Sequence, residues 1–312
     1  MQFIRHSMWP IRRLTLGSRM QTRLFYNRPP YQRFNTGNKQ KIWQTRTFWY
    51  TTGTGTVCGA IYYQSHLEDS PTGRRRFINV SSVEETQLGA SAYLQTMATY
   101  RSQIVPHTSP VSQYVHKVAH RIIRAANIPG TWEIHVINSP EKNAFVLPGN
   151  KIFVFSGLLH VANTEDALAT VLAHEIAHVY ARHSAEKLSA SKALQLLYIF
   201  VSLFVDPGAA EMGRSMAMLL LELPNSRQCE QEADEIGLEF MARACYDPRE
   251  AVHLWQRMQE NEQMVPQLLS THPSTAKRIE NIRNMVPKAE MKRKASCPPH
   301  DLTQTFFKQL GF

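Results

Sequence analysis

The sequence predicts an α+β chain, mainly helical with a small β-sheet, behind a basic leader and an uncharged segment of membrane-spanning character. Three observations predict it. Apolar residues recur at helical spacing through most of 82–290, only residues 132–137 and 151–155 alternate as strands, and residues 1–46 hold eight Arg and two Lys with no acid. At 312 residues and 43% hydrophobic content, the chain can bury one full core after the leader is set aside. Ten of its 35 basic residues lie in that leader and the other 25 balance the 25 acidic ones, so the net charge of +10 belongs to the leader. It gives no reason to propose a nucleic-acid partner.

In chain order, residues 1–46 intersperse Phe3, Ile4, Leu14 and Leu16 among the arginines. This is the composition of a mitochondrial transit peptide, an amphipathic cation drawn across an energised membrane; a disordered basic tail is the alternative. Residues 47–65 are uncharged, with aromatic residues at both ends and small residues between, and read as a single transmembrane helix at the short limit. Their many threonines keep a buried soluble segment open. A span with Arg46 on the matrix side would put the downstream domain in the intermembrane space. Residues 66–81, with three arginines after Gly73, read as a linker into a domain over 82–290, and 291–312 as a C-terminal tail.

Within that domain, Ser109 caps a helix with Pro110 in its first turn that runs to Ala126 and turns Val111, Tyr114, Val115, Val118 and Ile122 to a core. The strands over 132–137 and 151–155 are joined through the turn at Pro148-Gly149. A helix over 164–187 comes next, capped by Asn163 or Thr164, with Glu165 and Asp166 at its positive end. Residues 193–205 are almost wholly apolar but too few to cross a bilayer, so with 216–223 they form a core or interfacial hairpin that could lie over a cleft. Asp247-Pro248 starts a helix carrying Val252, Leu254, Trp255 and Met258, and Ser270 to Pro273 starts another that includes Arg278. Cys58, Cys229, Cys245 and Cys297 lack paired spacing, which indicates neither a cysteine zinc site nor a disulfide framework.

The chemistry concentrates on the 164–187 helix. His174 and His178 lie one turn apart on one face, within reach of a single ion, and Glu175 stands about 100° away beside that ion. There a carboxylate can accept a proton from water attacking a peptide carbonyl. Leu168, Val171, Leu172, Ile176 and Val179 bury that side of the helix, where unpaired imidazoles would be costly and a tetrahedral ion would satisfy both. A catalytic zinc takes three protein ligands. Ala181 and Ser184 stand where a longer histidine motif would need Gly and His, and His183 is about 180° round a continuous helix, directed away from the ion, as a surface group or one in a layer behind the ligands. Downstream, Glu230 supplies the third ligand and Asp234, one turn later, orients a ligand imidazole. Glu232 is the competing carboxylate, about 200° from Glu230.

The motif at 174–178, the acidic run at 230–234, the Asn143-to-Gly149 segment and Gly157-Leu158-Leu159 together resemble the M48 family of membrane-associated zinc metallopeptidases, over about two thirds of the chain. With its organellar leader, the chain is most similar to the mitochondrial inner-membrane members. The resemblance implies a zincin-type (gluzincin) peptidase fold, one Zn2+ per chain held by His174, His178 and Glu230, and Glu175 as general base. It further implies an edge strand at Asn143, Ala144 and Phe145 that pairs with extended substrate, and a His-Pro segment at His272 with Arg278 near the zinc. There these two would stabilise an oxyanion or act as a movable extra ligand, while helix capping by His272 stays open. The implied partners are membrane-protein substrates at the mitochondrial inner membrane, in quality control of misfolded or stress-exposed proteins, with homo-oligomerisation left open. A non-enzymatic scaffold on the same fold is the alternative; it would be expected to have lost a ligand or the base, and the set here is complete.

Overall fold

A computed structural model describes residues 45–202, 205–217, 223–260, 268, 272 and 276–297. The leader to residue 44 and the tail from 298 lie outside the described residues. By internal packing the chain divides into residues 1–56 and 57–312, and the elements after α1 belong to the second unit.

Helix α1 (Arg46–Ser65) is where the span was expected. It has 20 residues and none is buried. The expectation is corrected all the same: among the described residues no helix is long and apolar enough to cross a membrane. Here length suffices and apolarity does not, because threonines and glycines fill the centre. Thr51 and Thr56 turn their hydroxyls back onto the carbonyls of Thr47 and Thr52.

Part of the expected linker is a hairpin, β1 (Leu67–Asp69) against β2 (Arg75–Phe77). Helix α2 (Ser82–Tyr100) starts at Ser81, whose hydroxyl accepts the Glu84 N–H. Helix α3 (Pro110–Ala126) is capped by Ser109 with proline in its first turn and ends at Asn127 in the left-handed region.

Three strands, β3 (Glu133–Ile137), β4 (Ala144–Leu147) and β5 (Lys151–Phe155), form a sheet of order β3-β5-β4. The Pro148-Gly149 turn joins β4 to β5, whereas β3 runs parallel to β5. The two strands expected to be joined there are therefore lateral neighbours, with an edge strand inserted between them in sequence. Gly149 takes a positive φ in that turn, a conformation open to glycine at little cost.

Helix α4 (Glu165–Tyr180) is the centre of the core: every residue from Ala167 to Ala177 is buried. The sheet, α3, α7 (Leu223–Arg243) and α8 (Arg249–Glu260) surround it, and α9 (Ala276–Ser296) packs on α7 and α8. The expected helix over 164–187 is broken. Arg182 adopts φ 55, the chain turns, and α5 (His183–Ser202) starts at once. Helix α6 (Pro207–Ala217) packs on α5, and the pair leaves Leu196, Leu197, Ile199, Phe200, Met212 and Met216 exposed. Cys245 and Cys297 form a disulfide that ties the end of α7 to the end of α9, contrary to the expectation from spacing. Helix packing brings the two together, which no local spacing announces.

Candidate metal centre

Four donor side chains converge on the inner face of α4. His174, His178, Glu230 and His272 each offer one ligand atom, all within 4.8 Å of one another. His174 Nε2 lies 3.1 Å from His178 Nε2, 3.2 Å from Glu230 Oε2 and 3.2 Å from His272 Nδ1. Glu230 Oε2 is 3.0 Å from His272 Nδ1, and its Oε1 is 3.5 Å from His178 Nε2. Bond lengths of about 2.0–2.1 Å to a tetrahedral ion put neighbouring ligand atoms about 3.3 Å apart, so these separations fit the edges of such a shell. Glu230 Oε1 is also buried without a hydrogen bond, a full carboxylate oxygen directed at an imidazole nitrogen. Donor chemistry, spacing and this orphaned oxygen fit a bound metal ion.

Local folding explains the convergence. One helical turn aligns His174 with His178 on α4, and α7 brings Glu230 and Asp234 onto the same side. The helices approach closely because Gly237 lies on the backbone of His174, where an added Cβ would sit 3.2 Å from the His174 Cα. Asp234 Oδ1 is 3.0 Å from His174 Nδ1, on the ring edge away from the donor cluster. Arg278 holds Asp234 through bonds of 2.6 and 2.8 Å, reaches Glu230 Oε2 at 3.2 Å, and stacks its guanidinium 3.9 Å from the Trp255 ring centre. Arg278 is thus buried behind the donors rather than turned to an open cleft.

Burial opposes charge on these groups. For His174 the carboxylates of Asp234 and Glu230 outweigh it and raise the pKa to about 9. His178 is driven well below the imidazole range by burial and by His174, which together outweigh the nearby Glu230 carboxylate. Burial would raise Glu230, yet hydrogen bonds from His174 and His272 hold it well below the usual carboxylate range. Glu230 therefore stays a carboxylate.

Glu175 is buried beside the cluster, its Oε1 3.2 Å from His272 Nε2 but without an aligned hydrogen bond. Glu232 is not among the donors: it is buried and faces His183, whose Nε2 is 3.2 Å from its Oε2. Of the two places expected for His183, at the surface or in a layer behind the ligands, the structure shows the second. The turn at Arg182 folds it back, so that it is 1% exposed with Nδ1 2.8 Å from His178 Nδ1.

On the sheet, Ala144 and Phe145 lie in β4, an edge strand in the described sheet, and Asn143 just precedes it. The Phe155 N–H donates to the Asn143 carbonyl, so the alternation of an antiparallel ladder turns the backbone groups of Asn143 and Phe145 to β5 and those of Ala144 and Val146 to the other side. Val146, and the supports His183, Arg74 and Trp255, were not singled out as site residues from sequence. No local signal marked Arg74, because Arg182 and Lys187 flank Glu186 and stand as nearer basic partners in sequence.

Residues 110–286 match the model of peptidase family M48. The chain is 40% identical to the Mitochondrial metalloendopeptidase OMA1 of Schizosaccharomyces pombe over 88% of this chain and 81% of that protein. It is 36% identical to the protein of the same name from Saccharomyces cerevisiae, over 87% and 86%. With the Metalloendopeptidase OMA1, mitochondrial, of Homo sapiens it shares 32% identity over 77% of this chain and half of that protein.

Proposed function

The chain belongs to peptidase family M48, a family of peptide-bond hydrolases, and from that premise we propose that it is a zinc metalloendopeptidase of the mitochondrial inner membrane that cuts misfolded or stress-exposed membrane proteins. The observation that carries the reading is the four-donor cluster with Glu175 beside it. His174, His178 and Glu230 would hold the zinc, and His272, beside them, would be an extra ligand that yields its place to water. A zinc ion bound there supplies a Lewis acid that polarises the scissile carbonyl and acidifies water. The protein's own groups do the rest. Glu175 accepts the proton of the attacking water and returns it to the leaving amine. Asp234 fixes the His174 ring through Nδ1, and Arg278 fixes Asp234 and neutralises excess carboxylate. Extended substrate pairs with the outward backbone groups of Ala144 and Val146 on β4.

The mitochondrial assignment draws on relatives named as mitochondrial metalloendopeptidases. The exposed apolar residues of α5 and α6 suit contact with the membrane surface, and with it access to substrate loops near the bilayer. The Cys245–Cys297 disulfide favours the intermembrane-space side over the reducing matrix. In the test, the purified full chain is analysed for metal and assayed on an unstructured polypeptide. One zinc per chain, with cleavage abolished by a chelator and restored by zinc, is expected. Cleavage indifferent to chelation would remove the metallopeptidase reading.

A further inference from the structure

We propose that Arg74, in the β1–β2 hairpin, is a positioning residue for the metal centre that acts through Glu232 and His183 on the ring of His178. The proposal rests on the reading of His178 as a metal ligand through Nε2. In that role its Nδ1 carries the proton and must donate. The group it meets, 2.8 Å away, is His183 Nδ1, which accepts only if His183 is protonated on Nε2. That Nε2 in turn lies 3.2 Å from Glu232 Oε2, an acceptor. One tautomer of each ring therefore satisfies the whole line, and the carboxylate at its end selects it.

Glu232 would be costly to bury alone. Arg74 supplies the counter-charge: its Nε and Nη2 lie 3.1 and 2.8 Å from Glu232 Oε2, and Thr72 donates to Oε1 at 2.7 Å. The other side of the same guanidinium takes both oxygens of Glu186 at 2.7 Å each. Arg74 thus bridges α5 to α7. Arg76, from the same hairpin, donates to the Ala181 carbonyl where α4 ends. His183, Glu186 and Cys229 could be taken for a second metal cluster, but both oxygens of Glu186 already face a guanidinium.

The two ligand histidines are consequently held in different ways. His174 is held by Asp234 and Arg278, both within the family-matched residues, whereas the line from His178 ends on Arg74, ahead of them. A buried ion cluster that only fastened the hairpin would not need to end on a ligand ring. This one does, so disturbance of the hairpin is transmitted to metal affinity.

The experiment measures the zinc dissociation constant of the full-length chain by competition with a chromophoric chelator. His183→Leu, which removes the acceptor, is expected to bind zinc about tenfold to a hundredfold more weakly. His183→Asn places an amide oxygen where Nδ1 stood and is expected to return to within about threefold of the native protein. Arg74→Gln is expected to weaken binding by about three- to tenfold. Native affinity in His183→Leu, or an Asn variant no tighter than Leu, overturns the proposal. If the Leu variant fails to fold by circular dichroism, Arg74→Gln decides, and an unchanged constant there overturns it. His178→Ala separates the two levels: native affinity in that variant overturns the ligand reading itself, whereas a loss there with none in the His183 and Arg74 variants overturns only the relay.

Discussion

Replacing Gly237 with alanine sets two effects of opposite sign against each other. Inside a helix the change is favourable by about 1 kcal/mol, because alanine loses less backbone freedom on folding. Against that, the new Cβ would stand 3.2 Å from the Cα and N of His174 and 3.3 Å from the carbonyl carbon of Ala173. All three are backbone atoms of the central helix and none can swing aside. Ordinary contact requires α7 to retreat from α4 by a few tenths of an ångström, and overpacking of this kind costs about 1–3 kcal/mol. Net stability should fall by about 0–2 kcal/mol. The larger effect is on the site, because α7 carries Glu230 and Asp234. Metal–ligand distances tolerate about 0.2 Å, so the retreat should weaken zinc binding by about tenfold or more, equivalent to about 1.4 kcal/mol. Chelator competition reads the affinity and urea unfolding of the metal-free protein reads the stability. A variant that is more stable than the native protein and binds zinc as tightly would refute the close-approach argument.

Cys297→Ser should lower the unfolding free energy by about 2–4 kcal/mol, since the bridge closes a loop with a sequence separation of 52; an unchanged urea midpoint would argue that the bridge does not form. Val146→Pro removes an edge N–H that β5 does not use, so the fold should persist while kcat/KM falls about tenfold. Unaltered kinetics on an extended peptide would move substrate pairing away from β4. Glu230→Gln should weaken zinc binding more than His272→Ala does, because the former removes the charge the cluster is built on. The reverse order, read by the same competition titration, would exchange their roles.

The α4 motif, its cap at Thr164 and the start of α3 were legible because each is written in local residue types at helical spacing. The one-turn spacing of Glu230 and Asp234 was legible for the same reason, and the family resemblance joined them to the two histidines. What could not be read depends on distant partners. Arg182 breaks the predicted helix in a left-handed conformation that its own residue type does not advertise. Its side chain is fixed by Glu85 at 2.8 Å and by the Val80 carbonyl at 3.0 Å, both remote in sequence. That turn decides where His183 goes, so its contact with His178 was hidden too. Strand β4 is short and continuously apolar, without the alternation that marks a strand face. The arginines after Gly73 look like a solvated charge run until Glu186 and Glu232 are brought to them. Segment 47–65 had the length of a span but not the apolarity, a distinction its aromatic ends obscured.

In the proposed reaction Glu175 moves the proton while other residues hold the metal. Glu175→Gln in the full-length chain tests it by two readings on one sample, zinc per chain by elemental analysis and cleavage of an unstructured polypeptide. One zinc per chain and cleavage reduced about 10²- to 10⁴-fold are expected, the range for loss of a positioned general base. Cleavage within a few-fold of the native rate, with zinc still bound, would contradict that role for Glu175.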